Sequence, residues 1–291
     1  MKSVCTSVFI LLITFSAFSQ SETDSVFFRE LAFMQHLVRL NKSGEAIQYG
    51  KHLLNASDIS QPERDTLNYT IGWLYYTQKE LGNSSAYLLQ VSRNSTAYLK
   101  SVFFSAYNYI YLGRYQVADS LLDLIYSDDE LVNSLKSFER SGSSLLQRDF
   151  DNFRSQSLLY SRQYFALEKQ ADQLDHYYQG LINYKPKSPG LAALMSGLIP
   201  GSGKIYAGKT GEGIAAFLVV TALSLITYEN YRKDGLTNYK TLFFGGITGI
   251  YYIGNILGSA ATARVKNKEF NYEMDQRILF DIHIPLRTIF N

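Results

Sequence analysis

One short segment of the sequence carries residues that could bind a phosphate group. GKIYAGKT, residues 203–210, matches the pattern G-x-x-x-x-G-K-[ST] at every fixed position. In that pattern, backbone N–H groups surround the phosphates of a nucleotide, the Lys reaches the terminal phosphates and the Ser or Thr holds Mg²⁺. The segment therefore raises nucleotide binding as one hypothesis, which depends on the elements that surround it.

The setting of this segment differs from that of a phosphate-binding loop, which joins a buried strand to a helix in a parallel sheet. Residues 203–210 lie instead between a short apolar stretch, residues 191–199, and a longer one, residues 213–228. Asp281 follows a short apolar run, as a Mg²⁺-coordinating Asp would, but it lies beyond all of these stretches. We therefore interpret Lys209 as a residue at the membrane surface, where basic side chains meet anionic lipid. Nucleotide binding is an alternative function, ranked after the channel or transport alternative given below.

No constellation of residues points to catalysis or to a metal. The four histidines lie far apart in the sequence, and no G-x-S-x-G or H-E-x-x-H motif occurs. These histidines are His36, His52, His176 and His283. The sequence therefore predicts a protein that is not an enzyme and has no catalytic residues, metal or cofactor.

The first twenty residues have the pattern of a secretory signal peptide. Lys2 supplies positive charge, and residues 8–17 form a mainly apolar run that is too short for a membrane span. Cys5 is the only cysteine, and it precedes the apolar run, which excludes a lipoprotein cysteine. Removal of this segment leaves the mature chain without a thiol. We therefore predict export to a bacterial cell envelope.

Charge is distributed unevenly along the chain. Residues 185–268 contain ten Lys and Arg against three Asp and Glu, whereas the remainder contains 18 against 23. An acidic front half joined to a basic, apolar rear half indicates a soluble module attached to a membrane module. The basic residues flank apolar runs and form no stripe with interleaved aromatics, so nucleic acid is not a predicted partner.

Helical periodicity runs through residues 24–184, where apolar residues recur three and four positions apart. A related phrase occurs four times in this region, as LNKSGEA, LGNSSA, LGRYQVA and LQRDFDN. The leading residues are Leu40, Leu81, Leu112 and Leu146, which lie 41, 31 and 34 residues apart. Periods near 34 are typical of helix–turn–helix arrays.

The third phrase resembles the junction of a tetratricopeptide repeat. In that family a helix ends at Leu-Gly, an aromatic follows, and a small Ala opens the second helix. The matching residues here are Leu112, Gly113, Tyr115 and Ala118. The resemblance implies a short α-solenoid of three to four helical hairpins over residues 21–184, which would bind partner proteins along a concave face. An unrelated helical bundle is the alternative, and the 23 Tyr and 18 Phe either line that face or fill the core.

Three apolar stretches follow a Pro- and Gly-containing linker at residues 185–190. A helical membrane span takes about 20 residues. Residues 241–263 meet that length, and residues 213–228 approach it with flanking aromatics at the headgroup level. Residues 191–199 are shorter and predict a re-entrant or interfacial helix. Glycines four apart in the last stretch predict close packing against a neighbouring helix; they are Gly245, Gly249, Gly254 and Gly258.

Residues 188–214, SPGLAALMSGLIPGSGKIYAGKTGEGI, resemble the signature of small bacterial membrane-hairpin domains. That signature runs Ser-Pro, small and apolar residues, Pro-Gly-x-Gly, and then Tyr-x-Gly-Lys before a span. The matching residues are Ser188, Pro189, Ala192, Ser196, Pro200, Gly201, Gly203, Tyr206, Gly208 and Lys209. The resemblance covers about residues 187–268 and implies a two-span membrane fold with no assigned activity. Lys204 and Tyr206 would then lie in the headgroup layer.

The end of the chain changes character. In ILFDIHIPLRTIF, Phe280, Ile282 and Ile284 alternate with polar residues, and Pro285 fits an edge strand. We therefore predict a short β segment in the tail, residues 269–291.

The predicted organisation is all-α apart from that tail. It comprises a signal peptide (1–20), a helical-repeat domain (21–184), a membrane hairpin (185–268) and the tail (269–291). The leading hypothesis is a membrane-anchored envelope protein whose periplasmic repeat domain binds or scaffolds partner proteins. The alternative is an oligomeric channel or transport component, although neither long apolar stretch contains a charged residue. Contact with the lipid bilayer and homo-oligomerisation are compatible with both.

Overall fold

Every regular element of the part of the chain that the structure describes is an α-helix, which confirms the all-α prediction. This computed structural model describes residues 22–56 and 59–290, so the predicted signal peptide lies outside the described residues. The helices of the described residues are α1 (Glu22–Arg39), α2 (Ser43–Leu54), α3 (Gln61–Thr77), α4 (Leu81–Leu88), α5 (Tyr98–Tyr111), α6 (Tyr115–Asp123), α7 (Glu130–Gln147), α8 (Phe150–Ser157), α9 (Phe165–Asn183), α10 (Pro189–Leu198), α11 (Ser202–Tyr206), α12 (Thr210–Asp234) and α13 (Tyr239–Phe290).

The first eight helices form four pairs, α1–α2, α3–α4, α5–α6 and α7–α8, each joined by a turn of two or three residues. Each turn contains one residue with a positive φ between 61° and 72°. These turn residues are Asn41, Lys79, Gly113 and Arg148, which lie 38, 34 and 35 residues apart. The left-handed conformation ends one helix and reverses the chain into the next.

The same two backbone hydrogen bonds close all four turns. At Gly113, its N–H donates to Ile110 O at 3.0 Å and the following Arg114 N–H donates to Tyr109 O at 2.8 Å. Equivalent pairs of bonds occur at the other three turn residues. This arrangement is the Schellman motif, which satisfies carbonyls that the end of a helix leaves without a partner.

The second repeat phrase was assigned to the wrong residues in the sequence prediction. The turn of that pair lies at Lys79, whereas Leu81 begins α4 and Gly82 lies within α4. A lysine is an uncommon residue at positive φ, whereas Gly82, three positions later, matches the glycine of the repeat phrase. The residue five positions after each turn residue is buried in all four pairs; these residues are Ala46, Ser84, Ala118 and Phe153.

The chain divides into two compact units, Met1–Leu121 and Leu122–Asn291. In the first unit, α1 packs on α2, α2 on α3, α3 on α4 and α4 on α5. The close packing of α2 against α1 and α3 depends on glycine at residue 50, because a side-chain carbon there would lie 2.6 Å from Met34 Cε and 3.0 Å from Ile71 Cγ1. One core cluster of this unit is formed by Met34, Leu37, Ala46, Ile47, Leu67, Ile71, Leu74 and Tyr75.

In the second unit, the second half of α13 packs against α7 and α9. Gly142 of α7 lies so close to the Ile282 side chain that an added Cβ would overlap it. Tyr177 OH of α9 donates a 2.5 Å hydrogen bond to the buried Asp281 carboxylate. The predicted domain boundaries at 184/185 and 268/269 both lie inside this unit, and they stay predictions.

The predicted β segment in the tail is wrong, because α13 continues as a helix to Phe290. The buried residues follow a helical period and not a period of two. They are Ile278, Leu279, Asp281, Ile282, Pro285 and Leu286, while Phe280 is 66% exposed. Three apolar residues in so short a segment are compatible with the period of a strand and with that of a helix. Packing against α7 and α9 favours the helix. Pro285 is accommodated near the end of the helix.

Candidate functional site

The GKIYAGKT segment forms a tight turn between two helices. Gly208 has a φ of 88° and ends α11, and Lys209 is the N-cap residue of α12. The Gly208 N–H donates to Ile205 O and the Lys209 N–H donates to Lys204 O, both at 2.9 Å. The Lys209 carbonyl then accepts from Gly213 N–H at 2.9 Å. These are the bonds that close the four turns of the helix pairs, so the Gly-Lys pair here is a helix-reversal signal.

Most of the backbone N–H groups of this segment donate hydrogen bonds within the protein. Gly203 N–H donates to the Ser196 hydroxyl at 2.9 Å, and both Lys204 and Ile205 N–H groups donate to Gly201 O. Ala207 N–H donates to Gly203 O at 3.1 Å. A phosphate-binding loop points several of these N–H groups at its ligand. The described residues also contain no strand that could precede such a loop.

The glycines of the hairpin signature allow three short segments to pack closely. An added Cβ at Gly203 would overlap the Ala192 carbonyl oxygen on α10, and one at Gly201 would overlap the Gly213 carbonyl oxygen on α12. A Cβ added at Gly213 would likewise lie too close to the Ile205 side chain and to the Gly201 carbonyl oxygen. Since any side chain would separate these helices, the signature encodes a packing arrangement.

Hydroxyl groups connect α10 to α13 beneath this turn. Ser196 Oγ lies 2.7 Å from Ser259 Oγ, and both residues are fully buried. Ser188 caps α10 by accepting from Leu191 N–H at 3.2 Å, with Pro189 at the first helical position. Pro200 follows the end of α10 and precedes the left-handed Gly201.

The predicted linker before α10 is held against α13. Asn267 Oδ1 accepts from Lys187 N–H at 2.9 Å, and Asn267 Nδ2 donates to Lys187 O at 2.9 Å. Tyr184 OH donates to the same Asn267 oxygen at 2.8 Å, and the Tyr184 ring stacks on Phe270 at 3.6 Å. Tyr206 OH accepts from Ser188 N–H at 3.2 Å. The linker is therefore a structured part of the second unit.

Two helices of the described residues are long and apolar enough to cross a membrane, Thr210–Asp234 and Tyr239–Phe290. Only 11% of the apolar window of each is buried inside the protein. α10 is apolar but shorter and packs along α13. Length and composition alone support membrane anchoring weakly. The low burial shows in addition that no other described part of the chain covers most of these apolar surfaces.

The four glycines predicted to pack between helices have different surroundings. A side-chain carbon added at Gly245 would lie 3.5 Å from Thr227 Cγ2 on α12. One added at Gly258 would lie 3.7 Å from Lys204 Cε on α11. No described atom lies within 4 Å of that position at the other two glycines, Gly249 and Gly254.

Aromatic residues of α3 and α5 form a half-exposed surface in the first unit, here called the aromatic face. Trp73 stacks between Tyr69 and Tyr76 at centroid distances of 6.3 and 5.1 Å, and the edge of the buried Phe104 ring meets Trp73 at 5.1 Å. The Lys100 ammonium lies 5.1 Å from the Tyr69 ring centroid and 5.2 Å from that of Trp73. Burial lowers the pKa of Lys100. The sequence left open whether aromatics line a face or fill the core, and here they do both.

The predicted repeat-junction residues all lie where α5 turns into α6. Leu112 is the C-cap of α5, Gly113 is the left-handed turn residue, and Tyr115 begins α6. Ala118 is fully buried. The structure thus places these residues at one helix reversal.

The histidines do not gather into a site. His36, His52 and His176 are exposed on separate helices, and His283 is half-buried on α13. Among the residues that the structure describes, no three His, Cys, Asp or Glu side chains are grouped to hold a metal ion.

Sequence analysis missed three polar residues of the second unit, two of which are buried. Glu139 of α7 is fully buried with both carboxylate oxygens unpaired among the described residues, and burial raises its pKa well above the ordinary value. Asn255 of α13 is buried with an unpaired side-chain amide in the same portion of the chain. Asn267 anchors the linker. No local pattern marks them, because each depends on contacts made over long sequence separations.

No protein-family model, curated protein or solved structure matches this chain.

Proposed function

We propose that this protein is a membrane-anchored envelope protein whose helical pairs bind or scaffold partner proteins. The observation that carries the proposal is the continuity of α13. One helix begins in an apolar window of membrane-spanning length and ends packed against α7 and α9. A helix shared between an anchor and a folded module holds that module at a fixed distance from the bilayer, which suits a scaffold.

Two resemblances support the proposal. The tetratricopeptide-like junction at Leu112–Ala118 is one of four similar turns with spacings of 34 to 38 residues, near the tetratricopeptide period. The hairpin signature at residues 188–214 has its glycines at close helix contacts, as a compact two-span unit requires. Helical-repeat arrays typically act through binding surfaces, so catalysis is not part of the proposal.

The aromatic face is the proposed contact for a partner protein. Tyr and Trp are enriched at protein interfaces, where they provide large contact areas at low entropic cost. A photo-crosslinking amino acid at Tyr76 should give discrete protein adducts in cells. The same substitution at Tyr126, which is 84% exposed in the second unit, is the control. Adducts from Tyr126 alone would contradict this assignment.

Two features of the sequence favour opposite orientations of the hairpin in the membrane. A signal peptide at residues 1–20 would export the helical pairs. The end of the hairpin that follows α9 has seven basic residues, Lys185, Lys187, Lys204, Lys209, Arg264, Lys266 and Lys268, whereas the opposite end has three, Arg232, Lys233 and Lys240. Basic residues favour the cytoplasmic side, but the first apolar segment usually dominates. We propose that export prevails and places the helical pairs in the periplasm.

Cysteine labelling tests the anchor and its orientation together. In a Cys5→Ser background, Asn94→Cys in the first unit and Thr237→Cys between α12 and α13 provide single thiols. A membrane-impermeant maleimide applied after opening the outer membrane should label Asn94→Cys and spare Thr237→Cys until lysis. Labelling of both before lysis, or release of the protein by carbonate, would overturn the spanning hairpin. The reverse pattern would overturn the exported location.

The nucleotide alternative has its own test. Exchange of Lys209 for Ala should leave the affinity of the purified protein for ATP unchanged, since most N–H groups of the segment are already paired within the protein. A measurable ATP affinity that is lost in Lys209→Ala would favour the alternative. For the channel alternative, polar contacts such as Thr227–Thr248 and Ser196–Ser259 lie between packed helices of one chain, and a monomer in detergent would count against it.

A further inference from the structure

Three lysines lie close to Tyr206 in space or in sequence at one end of the hairpin, and we call them the lysine cluster: Lys187, Lys204 and Lys209. Lys187 Nζ lies 4.8 Å from the centroid of the Tyr206 ring. Lys204 and Lys209 flank Tyr206 in sequence and are joined by the 2.9 Å bond from Lys209 N–H to Lys204 O. The anchoring of Lys187 by Asn267 fixes the third lysine beside this turn.

The lysine cluster carries charge that no neighbouring carboxylate neutralises. Among the described residues, none of its three members forms an ion pair. Only two acids occur at this end of the hairpin, Glu212 and Glu269, and Glu269 lies 3.9 Å from Lys266. All three lysines are half-buried, so their aliphatic stems are covered while their charge stays uncompensated.

The cluster lies where the apolar helices begin and end. α12 starts at Thr210, directly after Lys209, and the apolar stretch of α13 ends at Ala263. Ala263 packs with Ala192 and Ala207 in a small core that Tyr206 covers. This level corresponds to the headgroup layer of a bilayer, where tyrosine and lysine side chains are favourable.

We propose that the lysine cluster binds the phosphate-bearing headgroup of an anionic phospholipid. Lys ammonium groups act as point-charge donors to phosphate oxygens. Each Lys near an anionic lipid surface raises the affinity for that surface about fivefold. The inference rests on the proposed membrane anchoring. The opposite end of the hairpin differs, because Lys233 is paired with Glu229 at 2.5 Å and Asp234 adds a second acid.

Lipid competition on the purified full-length protein tests the proposal. Native mass spectrometry from detergent, with phosphatidylglycerol and phosphatidylcholine of identical acyl chains at equal concentration, measures the ratio of the two bound lipids. The triple variant Lys187→Gln, Lys204→Gln, Lys209→Gln should lower this ratio by tenfold or more. The matched variant Arg232→Gln, Lys233→Gln, Lys240→Gln removes the same charge from the other end and should change the ratio less than twofold.

A charge-retaining variant guards against a folding defect. Lys187→Arg, Lys204→Arg, Lys209→Arg should keep the wild-type preference. A wild-type protein with equal affinity for both lipids, or equal losses in the two neutralised variants, would overturn the proposal. Displacement of phosphatidylglycerol by millimolar inorganic phosphate, with phosphatidylcholine retained, would identify a free-phosphate site instead. Failure of the membrane anchor itself would show separately, as release of the wild-type protein by carbonate.

Discussion

The side-chain amide of Asn267 pairs with both backbone polar groups of Lys187, although 80 residues separate them. A third bond from Tyr184 OH completes the bonding of the Asn267 oxygen. The contact closes the segment between α9 and α10 onto α13. It therefore couples α9 to α10, the first helix of the hairpin.

Asn267→Ala should lower the free energy of unfolding by about 1–3 kcal/mol, because it leaves the Lys187 N–H and C=O without partners. The freed segment should also become accessible to trypsin at Lys187–Ser188. Asn183→Ala is the matched control, since the exposed Asn183 side chain bonds only to Gln179 O within its own helix. Wild-type protease resistance in Asn267→Ala would contradict the anchoring role.

Alanine substitutions at three glycines should separate packing from backbone strain. Gly203→Ala should cost more than about 3 kcal/mol, because the new Cβ overlaps the Ala192 carbonyl. Gly208→Ala should cost about 1–2 kcal/mol through its left-handed φ, with open space around it. Gly211→Ala, in a helix and in open space, should be neutral or slightly stabilising. Thermal unfolding in detergent measures the order, and a neutral Gly203→Ala would refute the packing.

Ile282→Ala and Phe280→Ala distinguish a helical tail from a strand. Alternation would place both side chains on one face, whereas in α13 Ile282 is buried and Phe280 is 66% exposed. Ile282→Ala should cost about 2–4 kcal/mol by leaving a cavity against α7. Phe280→Ala should cost less than about 1 kcal/mol. Chemical denaturation of the full-length protein gives both values, and similar losses would argue against this helix.

Glu139 should make stability depend on pH. Burial raises its folded-state pKa above the ordinary value of 4.5, so the folded state binds the proton more tightly than the unfolded state. That stabilisation is complete below the unfolded pKa and is lost as pH rises through the folded pKa, with a slope of up to about 1.4 kcal/mol per pH unit.

Glu139→Gln stays neutral, so its stability advantage over the wild type should grow as pH rises above about 4.5. Unfolding free energies between pH 4 and pH 8 measure this difference. Glu130→Gln, on an exposed position of the same helix, should keep the wild-type slope. An unchanged slope in Glu139→Gln would show that the carboxyl group is not buried in solution.

Several features followed from local chemistry alone. Apolar spacing three and four residues apart predicted helices, and Gly113 marked a helix reversal, because capping depends on a few adjacent residues. Two uncharged apolar stretches predicted the long C-terminal helices for the same reason. The hairpin signature pointed to its own turn, since its glycines serve contacts within 25 residues of sequence.

Other features depended on contacts between distant parts of the chain. The turn at Lys79 and the helical end of α13 are selected by the surfaces against which their neighbours pack, and short windows fit more than one period. Asn267 bonds groups in the segment between α9 and α10, Glu139 is buried by the packing around α7, and the aromatic face combines residues of α3 and α5, so no local pattern could reveal them. The phosphate-loop pattern at residues 203–210 illustrates the difference: its letters are compatible with two structures, and hydrogen bonds to Ser196 and Gly201 make it a helix reversal.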